Sequence, residues 1–339
     1  MATTATINTG SLPQFTDLVK RSFIGGLESL SRDMRDASFV IEENQAENTG
    51  TYKRITERLT RSEYASGRPE GDVAKQTQVQ YGYEKDLSIT TIALAVSITK
   101  VMRKGGKDKE IIDKVTSLTE VVPNTMDADL SHRITFFTAT TYVNRDGDTV
   151  DITVGDGLAL GSAVHTLTGS ATTYSTIISG NPQFTKGALE LGEKSMVEGT
   201  FNNLGQKMAV KPDTILTTDD PNTCNQVAEL MKSTANVDSS NSGTFNVYQN
   251  KYKHVIAPRI ATTANGSVDS TKAKYWALID SRLSDFTLAI LYDAELSTPM
   301  DGNNGEDISS GNWNYVVDAM YGIAIATPKA FRLSTGLGS

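Results

Sequence analysis

Trp313-Asn-Tyr-Val-Val-Asp-Ala-Met-Tyr-Gly-Ile-Ala-Ile325 carries the clearest structural signal in the chain. Trp313, Tyr315, Val317, Ala319, Tyr321, Ile323 and Ile325 fall at every second position, the period of a strand with one face on a core. Thirteen residues of strand span roughly 43 Å, twice the usual strand length. The stretch follows a Gly/Asn/Asp-rich loop, 301–312, and ends before Pro328, which cannot donate to a ladder. A single strand this long suits an elongated molecule.

Upstream, residues 184–298 read as a compact α/β lobe. A helix starts near Thr185, with Leu189, Gly192 and Met196 on one side, and a β segment follows over Met208–Leu216. Asp220-Pro221 is a capped helix start with proline in the first position, leading to Val227, Leu230 and Met231. The Ser/Asn-rich stretch 236–244 is a loop. Strands are expected at Lys253–Ile256 and Tyr275–Ile279.

Toward the N-terminus the pattern changes. Residues 1–12 are rich in Thr, Asn and Gly and read as an extended arm; Phe15, Leu18, Val19, Phe23, Leu27 and Leu30 then form one helical stripe, which Gly25-Gly26 weakens or ends early. Ile89–Met102 is apolar. Ile111, Ile112, Val115 and Leu118 are helically spaced. A second helix with Met126, Leu130, Ile134 and Phe137 is expected to open after Pro123-Asn124-Thr125, so that one long helical stretch breaks near Pro123. Val150, Ile152 and Val154 alternate after an Asp146-Gly147 turn. No internal repeat of fixed period is present.

Residues 50–88 are unlike the rest, with seven basic and six acidic residues and few large aliphatic ones. Ser66-Gly-Arg-Pro-Glu-Gly-Asp72 is a strong turn signal at their centre. Val73, Lys75, Thr77, Val79, Tyr81 and Tyr83 alternate as in a strand; in the first arm Tyr52, Ile55 and Leu59 fit a helical face as well as a strand. As a hairpin, each arm reaches roughly 60 Å. An isolated two-stranded ribbon without an apolar face is not stable in water. The segment is therefore either disordered or laid on another subunit, and its tyrosines and β-formers favour the second.

Composition limits the function. A chain of 339 residues exceeds what one core usually serves, so two or more lobes are expected. The net charge is −8, whereas gripping duplex phosphates requires a Lys/Arg excess. One cysteine, Cys224, leaves no internal disulfide and fits a reducing compartment. No run approaches the ~18 apolar residues of a membrane span. Met1-Ala-Thr-Thr-Ala-Thr lacks the basic and apolar regions of a secretory signal, so synthesis in the cytosol is expected.

No motif points to catalysis, a cofactor or a metal. Gly105-Gly106-Lys107 lacks both the glycine spacing and the Ser/Thr of a phosphate loop. Gly155-Asp156-Gly157 with Gly161 has the wrong spacing for a dinucleotide and reads as a turn. Asn144, Asp146, Asp148 and Asp151 lack the glycine and closing glutamate of a calcium loop and read as a hairpin turn. His132, His165 and His254 form no ligand motif. Cys224 follows a helix N-terminus, where a thiolate would be stabilised, but reads as structural. Asp127 and Asp129 point to different sides of a helix and read as solvated or interface charges.

Three stretches, and the order of segments, resemble the tailed-bacteriophage major capsid family, with its Hong Kong ninety-seven-type fold, and Mu-like head subunits in particular. Asp156-Gly-Leu-Ala-Leu-Gly-Ser-Ala-Val-His165 is similar to the family's DG-x-x-LF-S-x-x-H run, with Gly161 in place of the usual aromatic residue. Leu204–Leu216 is similar to its G-x-x-hydrophobic-x-V-x-P-x-x-L segment, and Tyr321–Arg332 to its C-terminal ending.

The resemblance implies an α+β phage capsid fold in five parts: an N-terminal arm at 1–45; an extended β-hairpin loop at 46–88 lying over an adjacent subunit; a peripheral domain at 89–181 with a long spine helix and β strip; a compact α/β axial domain at 182–298; and a return to the peripheral domain at 299–339 through the long C-terminal strand. It implies a non-enzymatic protein that assembles with itself into hexamers and pentamers of an icosahedral shell. That shell would form in the bacterial cytoplasm and enclose double-stranded DNA without reading its sequence. Scaffolding, portal and decoration proteins are the implied partners, with a separate scaffold expected. The loop residues assigned to the inter-subunit contact are Tyr52, Arg54, Arg58, Arg61, Tyr64, Arg68, Val79, Tyr81 and Tyr83, and Lys53, Arg54, Glu57, Arg58, Arg61 and Glu63 would pair charges across it. The competing readings are an encapsulin compartment of the same fold, a tail tube or sheath protein, and a soluble enzyme.

Overall fold

The structure, a computed structural model, describes residues 12–28, 32–45, 50–57, 64–76, 79–235, 245–298 and 311–338. In chain order the first half carries α1 (Leu12–Glu28), β1 (Val40–Asn44), β2 (Tyr52–Thr56), β3 (Glu84–Ser88), β4 (Thr90–Ile98), α2 (Lys100–Lys104), α3 (Asp108–Thr116), α4 (Val121–Thr135), β5 (Thr141–Val143), β6 (Thr149–Asp151), β7 (His165–Leu167) and β8 (Ser170–Tyr174). The second half carries α5 (Lys186–Glu198), β9 (Thr214–Thr217), α6 (Pro221–Lys232), β10 (Lys253–Ile256), β11 (Trp276–Ile279), β12 (Phe286–Ser297), β13 (Trp313–Ile325) and β14 (Phe331–Ser334).

β13 is the long strand that the alternation predicts, and it runs through the middle of a sheet ordered β1-β12-β13-β4. Trp313, Tyr315, Val317 and Ala319 are buried with Val19 and Phe23 of α1, Ile111 and Val115 of α3, and Met126, Leu130 and Ile134 of α4. From Tyr321 onward both faces are buried, because Leu87, Ile89, Ala289 and Ala324 form a second small cluster behind the sheet. Gly322 permits that layer: a Cβ there would run into the side chain of Leu87 and the carbonyl of Ser88.

The other large sheet is ordered β10-β9-β11-β14, and every residue of β9, β11 and β14 is buried. Leu216, Ala277, Ile279 and Leu333 face the main core, while Ile215, Trp276 and Leu278 pack with Leu189 of α5 and Val227 and Leu230 of α6. Strands buried on both faces lose the alternation and read as continuous apolar runs. Asp220 caps α6 by accepting from the backbone N–H of Thr223, with Pro221 at the first helical position.

The fold departs from the sequence reading in five places. Among the described residues of Val73–Tyr83 no strand forms beyond a single bridge at Gln80, and the ladder joins Tyr52–Thr56 to Glu84–Ser88. Alternation produces pairing only where a neighbour buries one face, and Val73 is 90% exposed. The spine helix breaks at the 3₁₀ turn Ser117–Glu120, ahead of Pro123. Pro123 sits in the first turn of α4, where backbone N–H groups have no intrahelical acceptor. α1 runs through Gly25-Gly26 to Glu28, because a Cβ on Gly26 would lie 2.6 Å from Thr119 Cγ2 and the glycine lets the helix sit close. Within Met208–Leu216 only the segment from Thr214 is strand.

The fifth departure concerns the boundary at 298. β12, inside the stretch expected as a compact α/β lobe, pairs with β13 in the first sheet, while β14, beyond the boundary, completes the sheet of the lobe. The two sheets thus exchange chain segments. The N-terminal arm before Leu12 and the loops 236–244 and 301–310 lie outside the described residues.

Candidate assembly surface

β2 and β3 pair antiparallel over five rungs, and the chain between them forms the loop that the sequence singles out. The loop's root is a buried polar knot. The backbone N–H of Glu57 donates to the Tyr83 carbonyl (2.9 Å), and the Tyr83 N–H donates to Glu57 Oε2 (3.2 Å). Lys329 Nζ donates to Glu57 Oε1 (2.5 Å) and to Asn203 Oδ1 (2.6 Å), while Asn203 Nδ2 donates to Glu57 Oε2 (3.0 Å). One carboxylate therefore joins the loop, the α5–β9 connection and the β13–β14 turn. Both charges are satisfied by partners, as burial requires.

Further contacts fix the departing chain on its own subunit. Thr168 Oγ1 donates to the Tyr81 carbonyl (2.6 Å), Tyr83 Oη and Thr166 Oγ1 share a hydrogen bond of 2.6 Å, and Lys85 Nζ bonds Asp151 and Thr153. Of the expected contact residues, Tyr83 is therefore partly engaged within its own chain. Among the described residues beyond the root, Tyr64 and Tyr81 are 70% and 71% exposed and Arg68 and Val79 are exposed as well, as are Tyr52 and Arg54 on β2. Arg58 and Arg61 lie outside the described residues.

Three of the loop charges expected to pair across the contact are engaged within their own chain. Glu57 is no surface charge, because the knot buries it. Arg54 pairs within its own hairpin, with Asp86 at 2.8 Å and Glu84 at 3.1 Å, and the Asp86 hydrogen bond pushes its pKa up. Lys53 pairs with Glu43 on β1. Exposed pairs of this kind add little cohesion.

The residues searched for chemistry take structural roles. Among the described residues no group of three or more His, Cys, Asp and Glu side chains could hold a metal ion. His165 is buried between Asp156 (2.8 Å from Nδ1) and Thr176 Oγ1 (3.1 Å from Nε2). Asn144 Oδ1 accepts from the backbone N–H groups of Asp146 and Asp148, which closes the β5–β6 turn. Burial pushes the Cys224 thiol up, opposite to helix-end activation, and the thiol donates to the Thr218 carbonyl.

Asp127 and Asp129 are not solvated charges. Asp127 is buried, accepts from the Met34 N–H (2.9 Å) and pairs with Arg259 (3.0 Å); burial raises its pKa against those partners. Asp129 accepts from Tyr321 Oη (2.5 Å) and pairs with Arg145 (3.3 Å). The two carboxylates fasten opposite sides of α4 to the N-terminal segment and to β13.

No protein-family model matches this sequence, and no curated protein matches it. Solved structures do. A chain of the mature capsid of bacteriophage PhiM1 is 13% identical and superimposes with a TM-score of 0.53, over 90% of this chain and 86% of that one. A chain of the capsid of Myoviridae Phage XM1 is 12% identical, with a TM-score of 0.51 over 92% of this chain and 98% of that one. The chain has the α+β phage capsid fold.

Proposed function

We propose that this chain is the major capsid protein of a tailed bacteriophage, a subunit of an icosahedral shell of hexamers and pentamers that encloses double-stranded DNA. The observation that carries the reading is a fold shared with phage capsid chains over nine-tenths of the length, joined to a loop whose root is locked and whose far part is exposed. A locked root aims the loop, and its exposed tyrosines and valines gain burial only against another molecule. Both capsid structures come from phages, which favours a phage shell over an encapsulin compartment. The net charge of −8 suits a wall that contains DNA without holding its phosphates.

The chain's partners are further copies of itself, with a scaffolding protein, a portal and a decoration protein as additional ones, and its place is the virion after assembly in the bacterial cytoplasm. The residues 1–45, 46–88, 89–181, 182–298 and 299–339 serve as arm, extended loop, peripheral domain, axial domain and return strand. Pairing links the parts on either side of 298, since β12 before it pairs with β13 and β14 beyond it pairs with β11. Placement in the Mu-like branch rests on the three stretches Asp156–His165, Leu204–Leu216 and Tyr321–Arg332. The test is size-exclusion chromatography with negative-stain microscopy of the purified full chain. Closed shells or capsomers are expected, and a monodisperse monomer under all assembly conditions overturns the reading.

A further inference from the structure

The sheet β1-β12-β13-β4 has two edges, and they are built differently. The β1 edge is five residues long and carries Glu42 and Glu43, which pair with Arg35 and Lys53. Shortness and charge are the usual means by which a sheet edge discourages a further strand. The β4 edge has neither. Thr90-Thr-Ile-Ala-Leu-Ala-Val-Ser-Ile98 holds nine residues with no charge, proline or glycine. Its ladder with β13 runs through Thr90 to Ile98 without a register shift, whereas β12 against β13 shifts twice. Among the described residues β4 pairs with β13 alone. Thr90, Thr91, Ala93, Leu94, Ala95 and Ser97 are exposed, Leu94 at 48%.

We infer that β4 is a self-pairing edge: in the assembled protein it adds, antiparallel, to β4 of a second copy about a two-fold axis through Leu94. The strand is complementary to itself about that residue. Leu94 falls opposite Leu94, Ile92 opposite Val96 and Ala93 opposite Ala95, so no like charges meet and no bulky pair is forced together on the alanine face. Ile92, Leu94 and Val96 share one face of the strand. Ile92 and Val96 already pack against the core while Leu94 between them stands open. Cross-strand apolar pairs of this kind add to the main-chain bonds, and a two-fold contact uses one patch twice.

Two nine-residue strands bury well below the ~1,200 Å² of a stable free dimer. The pairing therefore belongs to particles in which many contacts act together, and to that extent it rests on the shell reading. The occupant is a second copy because the neutral, uninterrupted strand is complementary to itself about Leu94.

Single cysteines at positions 93, 94, 95 and 97, each in a Cys224→Ser background, place the axis. Assembled particles of each variant are treated with a short bismaleimide and run on denaturing gels. Linked dimer is expected to be strongest for Leu94→Cys, weaker for Ala93→Cys and Ala95→Cys, and absent for Ser97→Cys, whose two copies would stand about 20 Å apart. Particles that form with no maximum at 94 overturn the β4 pairing and leave the shell reading standing. Failure of the wild-type chain to form any particle overturns both. Leu94→Lys sets two charges on the axis and is expected to abolish closed particles with an unchanged circular dichroism spectrum; normal particles from it also overturn the pairing.

Discussion

Lys329 Nζ lies 2.5 Å from Glu57 Oε1 at the root of the loop, and each side chain is 7% exposed. Replacing Glu57 with Gln leaves the ammonium buried without its counter-charge, which costs about 3–5 kcal/mol. Replacing both, Glu57→Gln with Lys329→Met, removes the orphaned charge and is expected to recover much of that loss. Urea unfolding of the unassembled wild type, the two single variants and the double variant measures the cycle. A double variant as unstable as the sum of the singles would show that the pair acts through packing, not charge.

His132 is buried edge-on against the stacked rings of Phe136 and Tyr142, and burial lowers its pKa from 6.5 to about 4. The unfolded chain takes up a proton near pH 6.5, while the folded one waits until about pH 4. Between those values the unfolded state binds more protons, so stability falls as pH drops from 6.5 to 4 and is unaffected by this group above 6.5. The loss is on the order of 3 kcal/mol. His254, also lowered by burial, acts in the same direction. The variant His132→Gln is expected to show a flatter thermal midpoint across this window, with His254 and, toward pH 4, the carboxylates shifted by burial or pairing supplying the slope that remains.

Two adjacent glycines of α1 are expected to respond oppositely to the same change. A Cβ on Gly25 meets nothing within 4 Å, whereas one on Gly26 would press into Thr119, a β-branched and buried side chain that has little room to turn. Gly25→Ala should stabilise the protein by ~0.5–1 kcal/mol through helix propensity. Gly26→Ala should destabilise it by ~1–3 kcal/mol through overpacking. Unfolding midpoints of the two variants decide this, and equal shifts would contradict the close approach of α1 to the Ser117–Glu120 turn.

What the sequence disclosed depended on how each element is buried. β13 was legible because one face meets the core along most of its length, and α6 because Asp220-Pro221 is a local signal. β12 was not: Phe286–Ile290 is buried on both faces, and register shifts on either side of Tyr292 interrupt the more polar half, so no period survives. Val73–Tyr83 misled in the opposite way: it has a strand's alternation, but among its described residues only the Gln80–Tyr83 end is held by partners, and Val73 stands exposed. The knot at Glu57 could not be read at all, since its pairing with Lys329 crosses 272 positions and Glu57 stands among charges that look alike in sequence. The exposed residues Tyr52, Arg54, Tyr64, Arg68, Val79 and Tyr81 were legible as unusual composition. In the proposed shell the surface covering them belongs to another copy, which leaves no mark near them in the chain.

Removing the loop separates its two tasks. Glu57 and Tyr83 are joined by backbone hydrogen bonding, and β2 and β3 pair up to that point. A short glycine link replacing 58–82 therefore closes the hairpin without disturbing the knot or the sheet behind it. Most described side chains between those ends are exposed, so little core is lost, and a shorter connection lowers the entropy of closing the hairpin. The deleted chain is expected to unfold at the wild-type midpoint within about 1 kcal/mol, and to remain as monomers or loose capsomers under conditions in which the wild type forms closed particles. Sizing chromatography with negative-stain microscopy reads the second outcome and thermal unfolding the first. Closed particles of wild-type diameter from the deleted chain would show that the loop does not carry the contact between subunits. A collapsed midpoint would show instead that the loop packs on its own body, which is the arrangement the exposed Tyr64, Val73 and Tyr81 argue against.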